Sequence, residues 1–126
     1  ESIWGEYVAD YVKKGAQFIA IITNDAWWGN TSGKDQHLQY AKLRAIETRR
    51  WIARSANTGI SAFINQRGDI VKQSKWWVPI ALKADINLNT ELTFYVKHGD
   101  YIALAACFGS VVFGLMLLLS ILKRRN

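Results

Sequence analysis

The side chains best suited to chemistry lie in one loop, "TNDAWWGNTSG", which directly follows the apolar run "QFIAIIT". It places an amide and a carboxylate, Asn24 and Asp25, just before two adjacent indoles, Trp27 and Trp28. Asn and Asp side chains hydrogen-bond neighbouring backbone, whereas indole rings offer flat apolar walls with one N–H donor each. The loop therefore predicts a wall for an apolar ligand, with Asn24 and Asp25 as braces or polar substrate contacts. Packing of one tryptophan onto the core, with the other exposed, is the alternative that the spacing leaves open.

The other reactive side chains do not combine into a site. Cys107 is the only cysteine, and it lies in an apolar run where a thiol resists ionisation, so a packing role is favoured over a nucleophilic one. One cysteine and two histidines form neither a disulfide framework nor a metal cluster, so we expect no metal and no cofactor. His37 has no identifiable acidic partner and is assigned to packing or capping. Arg44 and Glu47 are three residues apart on a predicted helix and are expected to form a structural ion pair.

The elements that must position this loop alternate between helix and strand. Residues 3–12 carry apolar side chains at helical spacing, and Gly15 is suited to end that helix. Residues 17–23 are apolar on both faces, which is typical of a central strand covered from two sides. Residues 33–57 are predicted to form one long helix. Its apolar face comprises Leu38, Ala41, Ala45, Ile52 and Ala56.

Three more strands are predicted after this helix. Residues 59–74 contain a strand, a turn at residues 66–68 and a second strand, and residues 80–89 alternate like a half-buried strand near an edge. The order helix, strand, helix, strand, strand, strand indicates an α/β layered domain. Ligands of such sheets bind beyond the carboxyl ends of strands, and residues 23–33 lie at such an end.

The chain closes with an apolar segment of membrane length. Residues 101–122 carry no charge, and as a helix they span about 33 Å, close to the roughly 30 Å of a hydrocarbon core. A basic cluster follows at once, so residues 123–126 are predicted to be a cytoplasmic tail and residues 1–98 to face the periplasm or exterior. The net charge of +6 divides equally between residues 1–100 and this tail. Such a mild, scattered excess in the first part does not indicate nucleic-acid binding.

Three stretches carry a resemblance to known sequences: "ESIWGEY", "TNDAWWGNTSGKDQHLQYAKLRAIETRRWIARSANTGISAFINQRGDI" and "ELTFYVKHGDYIAL". In this order they resemble the C-terminal part of the apolipoprotein N-acyltransferase family, a membrane-embedded branch of the nitrilase (carbon–nitrogen hydrolase) superfamily. Lys34 and Asp35 depart from that family, in which a proline often follows the glycine. The resemblance implies the C-terminal half of a nitrilase-like α-β-β-α sandwich over residues 1–98. It also implies one transmembrane helix over residues 101–122, in the bacterial inner membrane.

The resemblance further implies acyl transfer by covalent catalysis, without a cofactor. A cysteine thiolate takes an acyl chain from a phospholipid, and the N-terminal amine of a diacylglyceryl-cysteine apolipoprotein then attacks the thioester. That cysteine is expected two positions upstream of Glu1, which leaves Glu1 as a supporting carboxylate, or as a simple helix N-terminal acid. Trp27 and Trp28 are expected to line the lipid pocket, next to Asn24 and Asp25. Since the family's catalytic Glu and Lys also lie upstream, we expect the 126-residue chain alone to be inactive.

Two other functions stay open at this point. A nitrilase-type amidase would act on a soluble C–N bond, but the terminal apolar segment disfavours it. A non-catalytic, membrane-anchored binding module would be favoured if Glu1 were the true N-terminus. The gene sequence upstream distinguishes these functions, because Cys-Tyr directly before Glu1, preceded by hydrophobic spans, indicates the acyltransferase.

Overall fold

A layer of helices covers one face of a four-stranded sheet in the computed structural model, which describes residues 2–125, with the backbone alone for Arg125. The elements in chain order are α1 (Gly5–Lys13), β1 (Ile19–Asn24), a 3₁₀ turn (Ala26–Trp28), α2 (Gly33–Thr48), β2 (Ile52–Asn57), β3 (Ala62–Ile64), β4 (Ile70–Gln73), α3 (Phe94–His98) and α4 (Tyr101–Arg125). The predicted mixed α/β class is confirmed. Gly15 has a φ of 100°, as expected of a residue that ends α1.

The sheet has the order β1-β2-β3-β4. Strand β1 is parallel to β2, with Ile19 beside Ile52 and Asn24 beside Asn57. Each later pair, β2 with β3 and β3 with β4, is antiparallel. It follows that β1, β2 and β4 all end at the same edge, here called the carboxyl edge, and the opposite one is the amino edge. The loops after these three strands are therefore neighbours.

The core lies between α2 and one face of the sheet. Strand side chains alternate between the two faces, so every second one points into this core. Its buried members are Ile21, Leu38, Ala41, Ala45, Ile52, Ala62 and Ile64. A smaller cluster joins α1 to α3 through Ala9, Val12 and Val96. Full burial of an aliphatic side chain contributes about 1.5–3 kcal/mol, so these contacts hold the helices to one face of the sheet.

The other face of the sheet is only partly covered within residues 2–125, and it is open at β1. Ile22 of β1 is 89% exposed, and β1 lies at the end of the strand order rather than in its middle. The prediction of a central strand covered from two sides is therefore wrong for this part of the chain. The physical reason is that the apolar pattern of a strand shows that both of its faces are suited to burial. It does not show which segment of the protein packs against each face.

The predicted helix over residues 33–57 is wrong after Thr48. There α2 ends, Arg49 adopts a left-handed conformation with a φ of 52°, and residues up to Asn57 form β2. No glycine or proline marks this break in the sequence. Tertiary contacts impose it, because the buried guanidinium of Arg50 donates to the backbone carbonyls of Ala16, Thr48 and Glu91. The predicted buried positions of α2 itself, Leu38, Ala41 and Ala45, are confirmed.

The predicted strand over residues 80–89 is also wrong, since residues 78–93 form neither strand nor helix. Leu82, Ala84 and Ile86 are nevertheless half-buried between exposed neighbours, as the alternation predicts. A strand needs a hydrogen-bonding partner as well as a pattern, and no backbone ladder forms along residues 78–93 in the described part of the chain. The short helix α3 that follows was not predicted.

Helix α4 extends from the domain with no side chain buried in its membrane-length window. Its mean hydropathy there is 2.5, and among the described residues it is the one helix long and apolar enough to cross a membrane, by length and composition. Cys107 is exposed on it. Lys123 and Arg124, predicted to belong to a tail, continue the same helix.

Candidate functional site

The loop singled out by the sequence emerges at the carboxyl edge and is shaped by its own hydrogen bonds. The Asn24 side-chain oxygen accepts from the Ala26 N–H at 3.1 Å, which turns the chain into the 3₁₀ segment. The hydroxyl of Thr31 donates to the Trp28 carbonyl at 2.6 Å and accepts from the Gly33 N–H at 3.3 Å. The loop is therefore tied at both ends, to β1 and to the start of α2.

A buried carboxylate lies beneath this loop. Asp25 is 0% exposed, and its Oδ2 accepts from Nη2 of Arg54 at 2.6 Å while its Oδ1 accepts from Nδ1 of His37 at 2.8 Å. A buried charge is tolerated only when it is paired and hydrogen-bonded, and both oxygens of Asp25 meet that condition. The expectation that His37 has no acidic partner is wrong, since Asp25 is that partner. Because Asp25 has no exposed surface, its burial favours the bracing role over contact with a substrate.

The turn between β2 and β3 closes around the same carboxylate. The backbone N–H of Asp25 donates to the Asn57 carbonyl at 3.3 Å, and Nε of Arg54 donates to the Ile60 carbonyl at 3.1 Å. A side chain at Gly59 would collide with Asp25 Oδ2, so only glycine fits there. Arg54 thus links three segments of the carboxyl edge. Arg54 was not predicted as a site residue because residues 33–57 were assigned to one helix, and "IARSA" has no apolar–polar alternation that would have indicated a strand.

The two tryptophans of the loop differ in their surroundings. Trp27 is 87% exposed, so core packing does not account for it. Trp28 is 46% exposed, and its ring lies against the backbone of Gly33 at the start of α2. The alternative that one tryptophan caps the core therefore has no support from Trp27 and limited support from Trp28. Their expected role as the wall of a lipid pocket stays a prediction.

A second tryptophan pair, which was not predicted to belong to the site, follows β4 at the same edge. Trp76 and Trp77 have ring centroids 5.2 Å apart. Nζ of Lys34 lies 5.7 Å from the Trp76 centroid, within the range of a cation–π contact, and donates to the Thr31 carbonyl at 3.3 Å. Lys34 therefore connects the two tryptophan loops. The repeated "WW" after a strand was the signal available in the sequence.

The ion pair expected between Arg44 and Glu47 is confirmed, with a separation of 3.2 Å. Nη1 of Arg44 also donates to the Ile3 carbonyl at 3.4 Å. Burial raises the pKa of Glu47, and this outweighs the lowering by Arg44, while Asp100 raises it further. Burial likewise raises the pKa of Tyr95 in the same cluster. Glu1, the predicted supporting carboxylate, lies outside the described residues.

Within residues 2–125, no three His, Cys, Asp or Glu side chains lie close enough together to hold a metal ion. Beneath the loop, the carboxylate of Asp25 is instead paired with Arg54 and His37, whereas Nη1 of Arg54 is buried without a hydrogen-bond partner among the described residues. This arrangement makes a rigid support for exposed aromatic rings rather than a centre that itself performs bond-making chemistry. Its chemical use is to bind and orient an apolar group.

Comparison with known proteins gives a consistent result. The carbon–nitrogen hydrolase family matches residues 1–92. A protein of Chlorobaculum tepidum named apolipoprotein N-acyltransferase is 38% identical over 99% of this chain. One of the same name from Pasteurella multocida is 35% identical over 98%, and apolipoprotein N-acyltransferase 2 of Leptospira interrogans is 36% identical over 100%. The chain spans 22–23% of the length of these relatives.

Proposed function

The chain belongs to the carbon–nitrogen hydrolase family, and we propose that it is the C-terminal part of an apolipoprotein N-acyltransferase. The observation that carries this proposal is the similarity to relatives of that name along almost the whole chain, helix α4 included. A nitrilase-type amidase acting on soluble substrates has no comparable use for an unburied apolar helix of 25 residues.

The proposed reaction is a two-step acyl transfer. A cysteine thiolate upstream of Glu1 attacks the ester carbonyl of a phospholipid, forms a thioester and releases the lysophospholipid as an alcohol after proton transfer. The α-amino group of a diacylglyceryl-cysteine apolipoprotein then attacks the thioester. An amide forms, the thiolate leaves, and the amine proton passes to a general base. No redox step and no external cofactor enter this balance.

A nitrilase-like α-β-β-α sandwich is the architecture that fits the sheet face left open at β1. Ala20 and Ile22 of β1 lie exposed on the face opposite the helices, where they need a second layer to be buried. The relatives are four to five times longer than this chain, which is enough to supply that layer. We assign residues 1–98 to one half of the sandwich.

Within this proposal, the loop at the carboxyl edge forms one wall of the lipid site. Trp27 and Trp28 contact an acyl or diacylglyceryl chain, Asn24 and Asp25 hold their backbone in place, and Glu1 supports the nucleophile. The support for this assignment is geometric. The indole of Trp27 is exposed, and the backbone beneath it is held by the buried contacts of Asp25 with His37 and Arg54.

We further propose that α4 spans the bacterial inner membrane over residues 101–122, with residues 1–98 in the periplasm and residues 123–126 in the cytoplasm. The basic cluster after the apolar segment supports this orientation. An impermeant thiol reagent should leave Asn126→Cys unlabelled in intact cells and label it after permeabilisation. Labelling of intact cells would reverse the proposed topology.

The activity test uses the full-length enzyme together with the 126-residue chain. We expect the full-length enzyme to form a hydroxylamine-sensitive thioester from acyl-labelled phospholipid and to pass the label to a diacylglyceryl-cysteine peptide. The 126-residue chain should form none. Replacement of the cysteine two positions before Glu1 by alanine should abolish thioester formation.

Cys107→Ala is the matched control, because this cysteine lies in α4 and is expected to have no role in the reaction. It should leave both steps unchanged. A thioester that requires Cys107, or a full-length enzyme that releases free fatty acid but never acylates the peptide, would contradict the proposed function.

A further inference from the structure

A cavity of about 340 Å³ opens at the carboxyl edge, between the β2–β3 turn and the segment that follows β4. Its size lies within the roughly 300–1,000 Å³ of small-molecule sites. One side is apolar and comprises Trp77, Val78 and Ile80, all exposed to about half or more of their surface. None of the residues that line the cavity is charged. A neutral ligand therefore fits it better than a phosphate or an ammonium group.

The opposite side of the cavity is polar and has unused hydrogen-bonding groups. The side chains of Ser55 and Asn57 line it and form no hydrogen bond with another residue in the described part of the chain. The hydroxyl supplies a donor and an acceptor, and the amide supplies two donors and an acceptor. Such groups suit an ester carbonyl or a glycerol oxygen next to an alkyl chain.

The apolar side is held in an unusual conformation. Trp77 has a φ of 61°, which an L side chain of this size rarely adopts and which marks positions where strain serves a site. The neighbouring indole N–H of Trp76 is buried and has no hydrogen-bond partner among residues 2–125. These features indicate that the segment is shaped for a ligand rather than for its own packing.

The cavity is continuous with the loop after β1. The Thr58 hydroxyl, at the cavity rim, donates to the Asn57 carbonyl at 2.6 Å and lies 3.3 Å from the side-chain oxygen of Asn24. On the other side, Lys34 connects the first tryptophan loop to Trp76. A ligand in the cavity would therefore lie next to the loop that carries Trp27 and Trp28.

We propose that this cavity binds the acylglycerol part of a lipid, with the alkyl chain on Val78 and Ile80 and an ester group at Asn57. The inference rests on the acyltransferase function proposed above. Both of its lipid substrates, the phospholipid and the diacylglyceryl-cysteine, contain this chemical group. The two half-reactions then identify which of them occupies the cavity.

The test uses the full-length enzyme and two probes, a phosphatidylethanolamine and a diacylglyceryl-cysteine peptide, each with a diazirine on an acyl chain. Trypsin releases residues 76–83 as one peptide and residues 68–72 as another, since each is bounded by Lys or Arg. We expect at least one probe to label residues 76–83 and neither to label residues 68–72. A peptide 76–83 that stays unlabelled by both probes in active enzyme would overturn the cavity assignment and leave the acyltransferase proposal intact.

Val78→Glu and Val71→Glu form a matched pair, because these valines are 48% and 47% exposed and only Val78 lines the cavity. A carboxylate at position 78 removes apolar contact, so we expect the KM of the affected half-reaction to rise roughly tenfold and labelling to fall. Val71→Glu should change neither. Val78→Ser gives the same comparison at smaller amplitude if the glutamate variant does not fold.

The main competing occupant is another segment of the same protein, which would cover the cavity as part of the domain interior. In that case Val78→Glu and Val78→Ser should lower the melting temperature, while labelling and KM per folded molecule stay unchanged. That result would overturn the proposal. Absence of acyl transfer by the wild-type enzyme would instead refute the proposed function.

Discussion

Two buried arginines lie four residues apart along β2 and its entry, and they have different partners. Arg50, at the amino edge, donates to backbone carbonyls of Ala16, Thr48 and Glu91. Arg54, toward the carboxyl edge, pairs its Nη2 with the carboxylate of Asp25, which His37 also contacts. The first arginine joins segments of the chain to one another. The second one neutralises a buried charge beneath a loop with exposed tryptophans.

The comparison shows that the protein uses neutral partners for one buried arginine and charged or titratable partners for the other. At the amino edge, backbone carbonyls accept from Nε and Nη1 of Arg50, and its pKa is lowered because burial disfavours the cation. At the carboxyl edge, a carboxylate and an imidazole are added, although an apolar contact would avoid the cost of desolvating a charge. The network of Asp25, Arg54 and His37 therefore fixes the position of the loop that forms the candidate site.

The largest effect should come from leaving the charge of Asp25 without its arginine. We expect Arg54→Met to destabilise the protein by about 3–5 kcal/mol, since one partner of a buried ion pair remains uncompensated. Arg50→Met leaves neutral carbonyls unsatisfied and should cost less, about 1–3 kcal/mol. Melting temperatures of the full-length variants in one detergent give the order directly.

The double variant Asp25→Asn with Arg54→Met sharpens this comparison. With the charge removed as well, it should be less destabilised than the sum of the two single variants. If Arg50→Met proves more damaging than Arg54→Met, or if the double variant is simply additive, the carboxyl-edge network is ordinary packing.

The sequence predicted elements that local pattern determines and missed those that distant contacts determine. The periodicity of α1 and of residues 33–48, and the turn at residues 66–68, were sufficient to place those elements. The end of α2 at Thr48 depends on Arg50 and its partners far away in the chain, for which no local signal exists. The alternating residues 80–89 satisfy a strand pattern but have no ladder partner in residues 2–125.

The candidate site divides in the same way. Asn24, Asp25, Trp27 and Trp28 were identified because they stand together after an apolar run. Arg54 and His37 were missed because they reach Asp25 only through the parallel pairing of β1 with β2 and the packing of α2. Loop chemistry is visible in a sequence, whereas the support beneath the loop depends on topology.

A pH effect of intermediate size on stability is expected from Glu47, which lies near the end of α2. Burial raises the pKa of Glu47 in the folded protein, so folding favours its protonated form. The contribution of Glu47 to stability is therefore fully present below its pKa in the unfolded state. It is lost as pH rises through the raised pKa of the folded state. We expect Glu47→Gln to flatten the fall in stability over that interval, measured as melting temperature against pH. A wild-type stability that rises across the interval relative to Glu47→Gln would contradict this assignment.

The smallest effect on stability should come from Trp27. Its expected role is in lipid binding at the carboxyl edge rather than in holding the fold together. Since its side chain is 87% exposed, we expect Trp27→Ala to change the free energy of unfolding by no more than about 0.5 kcal/mol. Trp28→Ala should cost more, because that ring lies against Gly33. If Trp27 contacts lipid, one half-reaction should nevertheless slow in the full-length enzyme, with the loss in KM for ground-state binding or in kcat for positioning of the thioester. Melting curves beside separate thioester-formation and transfer rates measure both quantities. If activity falls only in proportion to the amount of folded protein, Trp27 does not contact lipid. The proposal that the buried network of Asp25, Arg54 and His37 supports a lipid site would then be contradicted as well.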